Sequence, residues 1–425
     1  MKKKTAHISV IGGGAAGFFA AVNIAEQCPQ CKVTIIEKTA RILDKVRISG
    51  GGRCNVTHAC FDAKELCKNY PRGSRELIGP FMQFQPADTI AWFKQRGTHL
   101  KTEADGRMFP TSDTSQTIID CLTNAAQKAG VAIITQTGIV GLCRQTTADN
   151  NLQQAPQWQL TSSKGEKWEA DAVLVATGSS PRFWEILKGI GITIVPPVPS
   201  LFTFHVRSQM LHDLAGISLP NVMLTASNAP STLKTSGPLL ITHQGISGPA
   251  VLRLSAWGAR FFCEQEYRFP LQINWTGHHT PQEMSEQLHE NRQLLAKKQI
   301  SANSLYHIPA RLWRRLIEAV LPNPDMKWAD LSNKQINDLV RQLTQCDCYV
   351  DGKSTFKEEF VTCGGVKLSE IDFKTMECKQ HKGLFFAGEV LDIDAITGGF
   401  NFQAAWTTGF IAASAIVKNL SGIVR

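Results

Sequence analysis

The stretch His7-Ile-Ser-Val-Ile11 followed by Gly12-Gly13-Gly14-Ala15-Ala16-Gly17 decides the fold class of this chain. A short β-branched run leads into G-x-G-x-x-G. Residues 15–27 then have helical composition, and a second β-branched run follows at 32–36. The order strand, glycine turn, helix, strand is typical of a βαβ unit, in which the two strands are parallel. The stretch therefore predicts an α/β protein with a Rossmann-type unit at its amino terminus.

The three glycines at the motif positions of this turn have separate physical roles. Gly12 allows the tight turn, Gly14 lets a pyrophosphate approach the backbone, and Gly17 lets helix and strand pack closely. The helix amino terminus offers free N–H groups and a positive dipole to phosphate oxygens. Glu37 ends the second strand, where its carboxylate can accept hydrogen bonds from a ribose diol and disfavours a 2′-phosphate. The pattern indicates FAD or NAD rather than NADP; the alternative is an ordinary helix terminus in another α/β protein.

Composition and charge narrow the class of protein. The chain has 425 residues, 43% of them hydrophobic, which suits a globular chain of roughly two or three compact units. Lys and Arg exceed Asp and Glu by 45 to 36, a surplus that suits an anionic cofactor or substrate. Beyond Lys2, Lys3 and Lys4 the positive charges do not gather into a run with interleaved aromatic residues. We therefore expect no nucleic-acid partner.

Two apolar stretches imitate membrane or export signals. The amino-terminal lysines and the apolar run after them resemble a secretory signal, but the glycines at 12–17 interrupt it. The carboxy-terminal stretch 402–417 is too short to span a bilayer and carries polar residues. We expect a cytoplasmic protein with no membrane partner.

The twelve cysteines favour reduced thiols in a cytosolic enzyme, because they are sparse and lie mostly in apolar segments. Cys28 and Cys31 form a C-x-x-C, and Cys346 and Cys348 are close in sequence, so a metal or redox pair is the alternative. No second C-x-x-C completes a four-thiolate set, and we predict no metal site. Arg53 beside Cys54 favours a lowered thiol pKa, but without a partner cysteine we expect a buried structural thiol.

The middle of the chain changes character. Alternating segments such as 201–206 and 267–274 predict an inserted β-rich domain over residues 191–345. Within it, residues 280–335 are polar and helical and predict a small helical subdomain.

The two ends of the chain belong together. Residues 170–176 and 383–387 are further buried-strand patterns, and each ends in a glycine-containing turn. Open α/β sheets bind their ligands at such strand ends. We therefore predict that residues 1–190 and 346–425 are the two parts of one dinucleotide-binding domain.

A second glycine-rich segment reads Arg47-Ile-Ser-Gly-Gly-Gly-Arg53-Cys-Asn55. Three successive glycines remove the side chains where a flat or charged group presses on the backbone. Arg47 and Arg53 are candidates for phosphate contacts, and Ser49 and Asn55 for the polar edges of a flavin. The alternative is a flexible surface loop.

A third glycine-containing segment, residues 388–400, leads into the final helix. Gly388-Glu389 ends a strand, where the carboxylate can hold ribityl hydroxyls or a water network on the pyrophosphate. Gly398-Gly399-Phe400 then begins the helix. We expect its amino terminus to face the flavin N1 and C2 carbonyl, where the helix dipole stabilises the negative charge of reduced flavin and raises its potential. An ordinary helix cap is the alternative.

These motifs together resemble a flavoprotein family known as YhiN-like or BaiN-like, described as NAD(P)/FAD-dependent oxidoreductases and aminoacetone oxidase family proteins. The resemblance rests on residues 48–55, on Thr-His-Gln-Gly-Ile-Ser-Gly-Pro at 242–249, and above all on residues 362–408. It implies an FAD domain built from both chain ends, with an inserted β-barrel and a small helical unit. The chain departs from the family at 179–184, where Ser-Ser-Pro-Arg-Phe-Trp replaces a second glycine-rich turn. This departure concerns the substrate side of the pocket.

The predicted cofactor-binding residues lie in the glycine turns and at the strand ends. They are Gly12, Gly14, Ala15, Ala16, Gly17, Glu37, Lys38, Arg47, Ser49, Gly51, Gly52, Arg53, Cys54, Asn55, Ala176, Thr177, Gly178, Gly388, Glu389, Gly399, Phe400 and Asn401. His243, in a glycine-containing turn, is the candidate proton-transfer residue, because histidine titrates near neutrality; a structural histidine is the alternative.

The sequence thus predicts an FAD-dependent oxidoreductase acting on a small-molecule substrate, either an amine or an unsaturated carbonyl compound. No second G-x-G-x-x-G follows a strand, so NAD(P)H, if used, docks transiently at the flavin. The alternative is a non-catalytic flavin-bearing binding or sensing protein. The oligomeric state has no sequence signal.

Overall fold

The computed structural model describes residues 5–145, 157–229, 233–354 and 361–421; Lys2, Lys3 and Lys4 lie outside the described residues. The strands are β1 (His7–Ile11), β2 (Lys32–Ile36), β3 (Thr57–His58), β4 (Leu100–Thr102), β5 (Arg107–Pro110), β6 (Ala132–Ile134), β7 (Ile139–Gln145), β8 (Gln157–Ser162), β9 (Lys167–Ala170), β10 (Ala172–Val175), β11 (Ile194–Ser200), β12 (Phe204–Val206), β13 (Ser218–Ala226), β14 (Leu233–Thr242), β15 (Gly245–Ser247), β16 (Arg268–Asn274), β17 (Cys346–Lys353), β18 (Val361–Val366), β19 (Ile371–Asp372), β20 (Glu377–Cys378) and β21 (Leu384–Phe386). The helices are α1 (Ala15–Gln27), α2 (Asp44–Gly52), α3 (Ala63–Cys67), α4 (Ile78–Gln83), α5 (Pro86–Gln95), α6 (Ser115–Lys128), α7 (Pro181–Gly189), α8 (Pro249–Trp257), α9 (Ala259–Glu264), α10 (Pro281–Leu294), α11 (Ala310–Glu318), α12 (Asn333–Thr344) and α13 (Phe400–Ser421).

The chain divides into two compact units, residues 1–197 with 362–425, and residues 198–361. The sequence places these limits at 190/191 and 345/346. The second limit differs because β17, which begins at residue 346, pairs with β16 and β12 in the inserted unit. Its side chains alternate between buried and exposed, as expected for a strand with one face toward a core. The domain limits themselves stay a prediction.

The first unit contains a seven-stranded sheet with the order β19-β20-β21-β10-β1-β2-β6. The strands β21, β10, β1, β2 and β6 are parallel. The predicted elements at 7–11, 15–27 and 32–36 are confirmed with the same bounds. β21 lies beside β10, which lies beside β1, so strands from both chain ends share one sheet. Their carboxyl ends lie at one edge, where open α/β sheets bind ligands.

The inserted unit is a closed six-stranded barrel in the described residues, with the order β12-β15-β14-β13-β16-β17. The predicted β-barrel and helical subdomain are thereby confirmed. Helices α10 and α12 each begin with a capping box, formed by Thr280 with Glu283 and by Ser332 with Gln335. One hydrophobic core joins the barrel interior to the buried faces of α8, α10, α11 and α12.

The final helix, α13, packs on α1 through small residues. A methyl group added at Gly409 would lie 3.0 Å from the Ala16 carbonyl oxygen, so the two backbones approach closely, as the small residues of this helix predict. No helix in the described ranges has the length and apolarity needed to cross a membrane.

Two cysteines correct the expectation of reduced thiols. Cys28 and Cys31 form a disulfide, because the turn between α1 and β2 brings their Cα atoms to 5.5 Å, within the range that a disulfide spans. Cys54 is fully buried, and burial raises the pKa of its thiol to about 12. This agrees with a buried structural thiol rather than an activated one. A cytoplasmic location stays a prediction.

Candidate flavin site

The structure distinguishes the three motif glycines of the first turn, Gly12, Gly14 and Gly17, by the space around them. Gly12 has φ +112°, and a Cβ there would lie 2.3 Å from the Ala176 carbonyl oxygen. A Cβ at Gly17 would lie 2.0 Å from the Gly12 carbonyl oxygen. At Gly14 an added Cβ would meet none of the described atoms within 4 Å. Gly12 and Gly17 thus serve close packing, and Gly14 leaves open the space that a pyrophosphate needs.

The amino terminus of α1 is suited to an anion. Gly14 is the N-cap, and it supplies no side-chain hydrogen bond to the helix. The first turn, which contains Ala15 and Ala16, has no acidic residue. The first backbone N–H groups of a helix have no partner within it, and together with the helix dipole they favour phosphate oxygens.

Glu37 is held in place at the end of β2. Its Oε2 accepts a hydrogen bond from Gly13 N at 2.7 Å, and its Oε1 accepts from Thr39 N at 2.9 Å and from Thr39 Oγ1 at 2.8 Å. Carboxylate oxygens have about four acceptor sites in total, so this carboxylate can still accept bonds from ribose hydroxyls. The fixed carboxylate beside the glycine turn fits the predicted role of Glu37.

A cleft of about 100 Å³ opens beside this strand end. It brings together four predicted site residues: Gly12, Glu37, Lys38 and Thr177. Three further lining residues, Ser180, Arg182 and Phe183, belong to the divergent segment at 179–184. The remaining lining residues were not predicted as site residues; they are Ile11, Ile36, Thr137, Gly138, Ile139 and Val140.

The divergent segment at 179–184 contributes to this cleft. Arg182 and Phe183 line it together with Glu37. The sequence places this segment on the substrate side of the pocket, and that role stays a prediction. The structure shows that the segment lines the same cleft as Glu37. The reason is that α7 begins at Pro181, directly after the Thr177 turn that follows β10.

A third strand end meets the same helix terminus. Gly388 has φ +74°, and a Cβ there would lie 2.9 Å from the Ala16 Cβ. The neighbouring Glu389 accepts a hydrogen bond from Thr362 N at 3.2 Å and forms an ion pair with Lys45. A Cβ at Gly178 would lie 3.8 Å from the Glu389 carboxylate. The structure thus joins the predicted segments at 15–17, 176–178 and 388–389, and it adds Lys45, whose helical position gave no sequence signal.

The glycine run at 50–52 interrupts α2. Gly50, Gly51 and Gly52 have φ values of +58°, +67° and +84°, and Ser49 has non-helical dihedral angles. Added Cβ atoms at Gly51 and Gly52 would meet none of the described atoms within 4 Å. The backbone is therefore accessible over two successive residues, as a flat group pressing on it requires.

The two arginines of this segment have protein partners. Arg53 donates to Glu103 Oε1 at 2.7 Å and lies 3.9 Å above the centre of the Phe109 ring. Arg47 donates to Gln116 Oε1 at 2.8 Å. Their predicted phosphate contacts stay a prediction, and for Arg53 such a contact competes with an acidic partner.

The start of α13 is tied to the glycine-rich segment. With its amide oxygen toward Gly399, Asn55 accepts from Gly399 N at 3.0 Å and donates to Thr57 O at 3.0 Å. A Cβ at Gly399 would lie 2.5 Å from Thr57 O, so only glycine fits. The side chain of Asn401 accepts from Ala395 N and donates to Ala395 O. Both asparagines, predicted as flavin contacts, thus have backbone partners that shape the loop.

Sequence reasoning missed two residues behind this loop. The Nδ1 atom of His58 lies 3.1 Å from the Gly398 carbonyl oxygen, so Nδ1 carries the hydrogen. The ring of His58 packs on the Phe400 ring at 4.6 Å between centroids. The hydroxyl of the buried Tyr70 donates to Phe400 O at 2.6 Å. His58 follows the glycine-rich segment closely, which was the only signal available for it; Tyr70 lies further along the chain and carries no motif. His243 lies in the barrel unit, in the turn between β14 and β15.

These features fit a dinucleotide with an attached flavin: an uncapped helix terminus, a fixed carboxylate and open glycine positions in two loops. The family described as HI0933-like protein Rossmann domain matches residues 6–415. The chain belongs to the HI0933-like family. The resemblance drawn from its motifs is confirmed. As a member of this Rossmann flavoprotein family, the protein is an FAD-dependent oxidoreductase.

Two relatives match nearly the whole HI0933-like chain. A ribosomal RNA dihydrouridine synthase of Haemophilus influenzae is 28% identical over 419 residues, which cover 96% of this chain and 98% of the relative. A 3-dehydro-bile acid delta(4,6)-reductase of Clostridium scindens is 25% identical over 421 residues, which cover 97% and 99%. Among solved structures, the 3-ketosteroid delta1-dehydrogenase of Sterolibacterium denitrificans is similar with a TM-score of 0.48 and 10% identity, over 98% of this chain and 100% of that one.

Proposed function

We propose that this protein is a reductase that uses FAD to saturate a carbon–carbon double bond conjugated to a carbonyl group. The observation that carries the proposal is the junction of three strand-end turns at the amino terminus of α1. There Gly388 abuts Ala16 and Gly14 faces open space. This arrangement suits the pyrophosphate of a dinucleotide, and it leaves the segments at 49–52 and 398–400 for the flavin.

The names of two relatives support the same reaction type. One is named for making dihydrouridine, which requires saturation of the uracil double bond next to a carbonyl. The other is named for reducing the delta(4,6) positions of a 3-dehydro bile acid, which are conjugated to its 3-oxo group. The two substrates differ in size and charge, but both are unsaturated carbonyl compounds. We propose this shared acceptor as the substrate class here, in preference to an amine.

The chain's own residues have distinct roles in this proposal. The N–H groups at the start of α1 bind the pyrophosphate, Glu37 binds the ribose, and the amino terminus of α13 stabilises negative charge at the flavin pyrimidine. When bound, FAD supplies the hydride for the β-carbon. A protein acid supplies the proton for the α-carbon. His243 and His58 are the candidate acids, because a histidine can donate a proton near neutral pH.

The electron balance requires a donor. We propose NAD(P)H, which docks transiently because the sequence has no second glycine fingerprint. Per turnover, NAD(P)H and one proton are consumed, the double bond becomes a single bond, and NAD(P)⁺ is released.

The experiment is an anaerobic half-reaction study of the FAD-loaded protein. Flavin absorbance at about 450 nm is bleached with NADPH or NADH, and the reduced protein is then mixed with a cyclic enone, a 4-en-3-one steroid, uridine or ribosomal RNA. We expect one class of unsaturated carbonyl to restore the absorbance and to yield the saturated product by mass spectrometry. A saturated ketone of the same size is the control. If every unsaturated compound leaves the flavin reduced, the proposal is wrong.

The same study separates the alternatives. Rapid anaerobic bleaching by an amine, with no reoxidation by enones, would indicate amine oxidation instead. Failure of both half-reactions would favour a non-catalytic flavin-bearing binding or sensing protein.

A further inference from the structure

The barrel unit contains a group of sulfur atoms that the flavin chemistry does not use. It consists of Cys346 and Cys348 on β17 and Met210 in a short 3₁₀ helix at Gln209–Leu211; we call it the sulfur cluster. The Cys346 Sγ lies 3.9 Å from the Met210 Sδ. The two thiols are hydrogen-bonded to each other. Residues i and i+2 of a strand face the same side, which explains how a C-x-C motif on β17 brings both thiols together.

The two cysteines of the cluster are buried. Cys346 is 2% exposed and Cys348 is 9% exposed, while Met210 is half-buried. In the described residues, no group of three or more His, Cys, Asp or Glu side chains is placed to hold a metal ion. The sulfur cluster reaches three ligands only because its third member is a thioether.

Two further side chains place N–H groups close to these sulfurs. The Gln342 Nε2 lies 3.1 Å from the Met210 Sδ and 3.7 Å from the Cys346 Sγ. The indole N–H of Trp275 is buried and has no acceptor within normal hydrogen-bond geometry among the described residues. It lies against Cys346. Donors of this kind orient and stabilise a metal-binding thiolate.

We propose that the sulfur cluster binds one soft monovalent metal ion, Cu(I), through two cysteine sulfurs and one methionine sulfur. Thiolate and thioether ligands select Cu(I), whereas Mg²⁺, Ca²⁺ and Mn²⁺ require oxygen ligands. A disulfide between the two cysteines is disfavoured by the strand itself. Two residues of extended strand separate the Cα atoms by about 6.6 Å, at the upper limit of disulfide geometry. A metal ion bridges the thiols without bending β17.

The test is a competition for Cu(I) under anaerobic conditions between the full-length, FAD-loaded protein and a chromogenic Cu(I) chelator. We expect the protein to retain one equivalent. The Cys346→Ser/Cys348→Ser variant should bind Cu(I) more than about 100-fold more weakly than the parent. Loss of a group that only supports a metal ligand weakens binding by roughly 10- to 100-fold, and this variant loses two ligands. Met210→Leu, which conserves volume, should weaken retention by about 10-fold. Cys263→Ser is the matched control in the same unit and should bind like the parent.

A second measurement does not depend on the variants folding. The parent protein is incubated with one equivalent of Cu(I), then denatured and alkylated briefly, and its peptides are mapped. We expect the peptide with Cys346 and Cys348 to be protected and the one with Cys263 to be labelled. The proposal is overturned if the parent retains no Cu(I), if the double variant retains it equally, or if the two cysteines form a disulfide on mild oxidation in place of metal binding.

Discussion

Replacement of Gly14 by Val tests the placement of the pyrophosphate. An added Cβ at Gly14 would meet no described protein atom within 4 Å, so the substitution fills space that the protein itself leaves open. Gly14 is also the N-cap of α1, where Val is disfavoured by about 1 kcal/mol. We therefore expect the cofactor-free variant to fold with only a modest loss of stability.

The effect on FAD follows from the hydrogen bonds at the helix terminus. A branched side chain at Gly14 prevents phosphate oxygens from reaching the N–H groups of the first turn. Loss of two hydrogen bonds to a charged group costs about 3–6 kcal/mol, which corresponds to a rise of about 10²- to 10⁴-fold in Kd. The expected preparation is colourless or nearly so.

The assay is fluorescence titration of the flavin-free protein with FAD, together with the flavin-to-protein absorbance ratio after purification. Gly79→Val is the matched control, because Gly79 is exposed in α4 and an added Cβ meets none of the described atoms within 4 Å. It should keep parental affinity. If Gly14→Val binds FAD within about threefold of the control, the pyrophosphate does not lie over Gly14.

Three other outcomes are expected. Asn55→Ala removes the side-chain oxygen that accepts from Gly399 N just before α13. We expect the unfolding free energy, measured in urea, to fall by about 1–3 kcal/mol, and the flavin reduction potential, measured by dye equilibration, to fall as well. An unchanged potential would mean that this loop does not act on the flavin. Arg72→Met removes the guanidinium that pairs with the buried Asp394. We expect it to lower the unfolding free energy by about 3–5 kcal/mol in the same urea assay. A decrease below about 1 kcal/mol would mean that the pair contributes no more than a surface ion pair. For Cys54, burial raises the thiol pKa from 9.0 to about 12, so the neutral thiol stabilises the fold below pH 9, and this contribution disappears as pH rises from 9 to 12. Alkylation followed by mass spectrometry should leave Cys54 unmodified at pH 8 until denaturant is added, and native labelling would contradict its burial.

The sequence was most informative where one local rule decides the structure. Glycine spacing and β-branched runs predicted β1, α1 and β2 with the bounds that the structure has, because each depends on residues near in sequence. The same rules were less informative at β17, whose alternating pattern is a strand signal but does not say which domain the strand joins. The partner strands, β16 and β12, are distant in the chain.

The same distinction between local and long-range signals applies to the site residues. The sequence indicated Glu37 and the glycines because their chemistry is local to a turn. It did not indicate His58, Tyr70 or Lys45, because their importance comes from contacts with residues more than 300 positions away. It indicated Asn55 as a cofactor contact, which stays a prediction, and it did not indicate that the Asn55 side chain bonds to backbone groups near the start of α13.

By itself, the sequence determined the class of the fold, the dinucleotide fingerprint and the family, since these depend on short-range sterics and on motifs that survive divergence. Three features were decided only by the tertiary structure. They are the loops that meet at the amino terminus of α1, the position of the divergent segment at 179–184, and the contact of Met210 with the cysteines of β17. The physical reason is that such meetings depend on how the strands are ordered in a sheet or barrel. That order is set by the packing of the whole unit and not by any single stretch of chain.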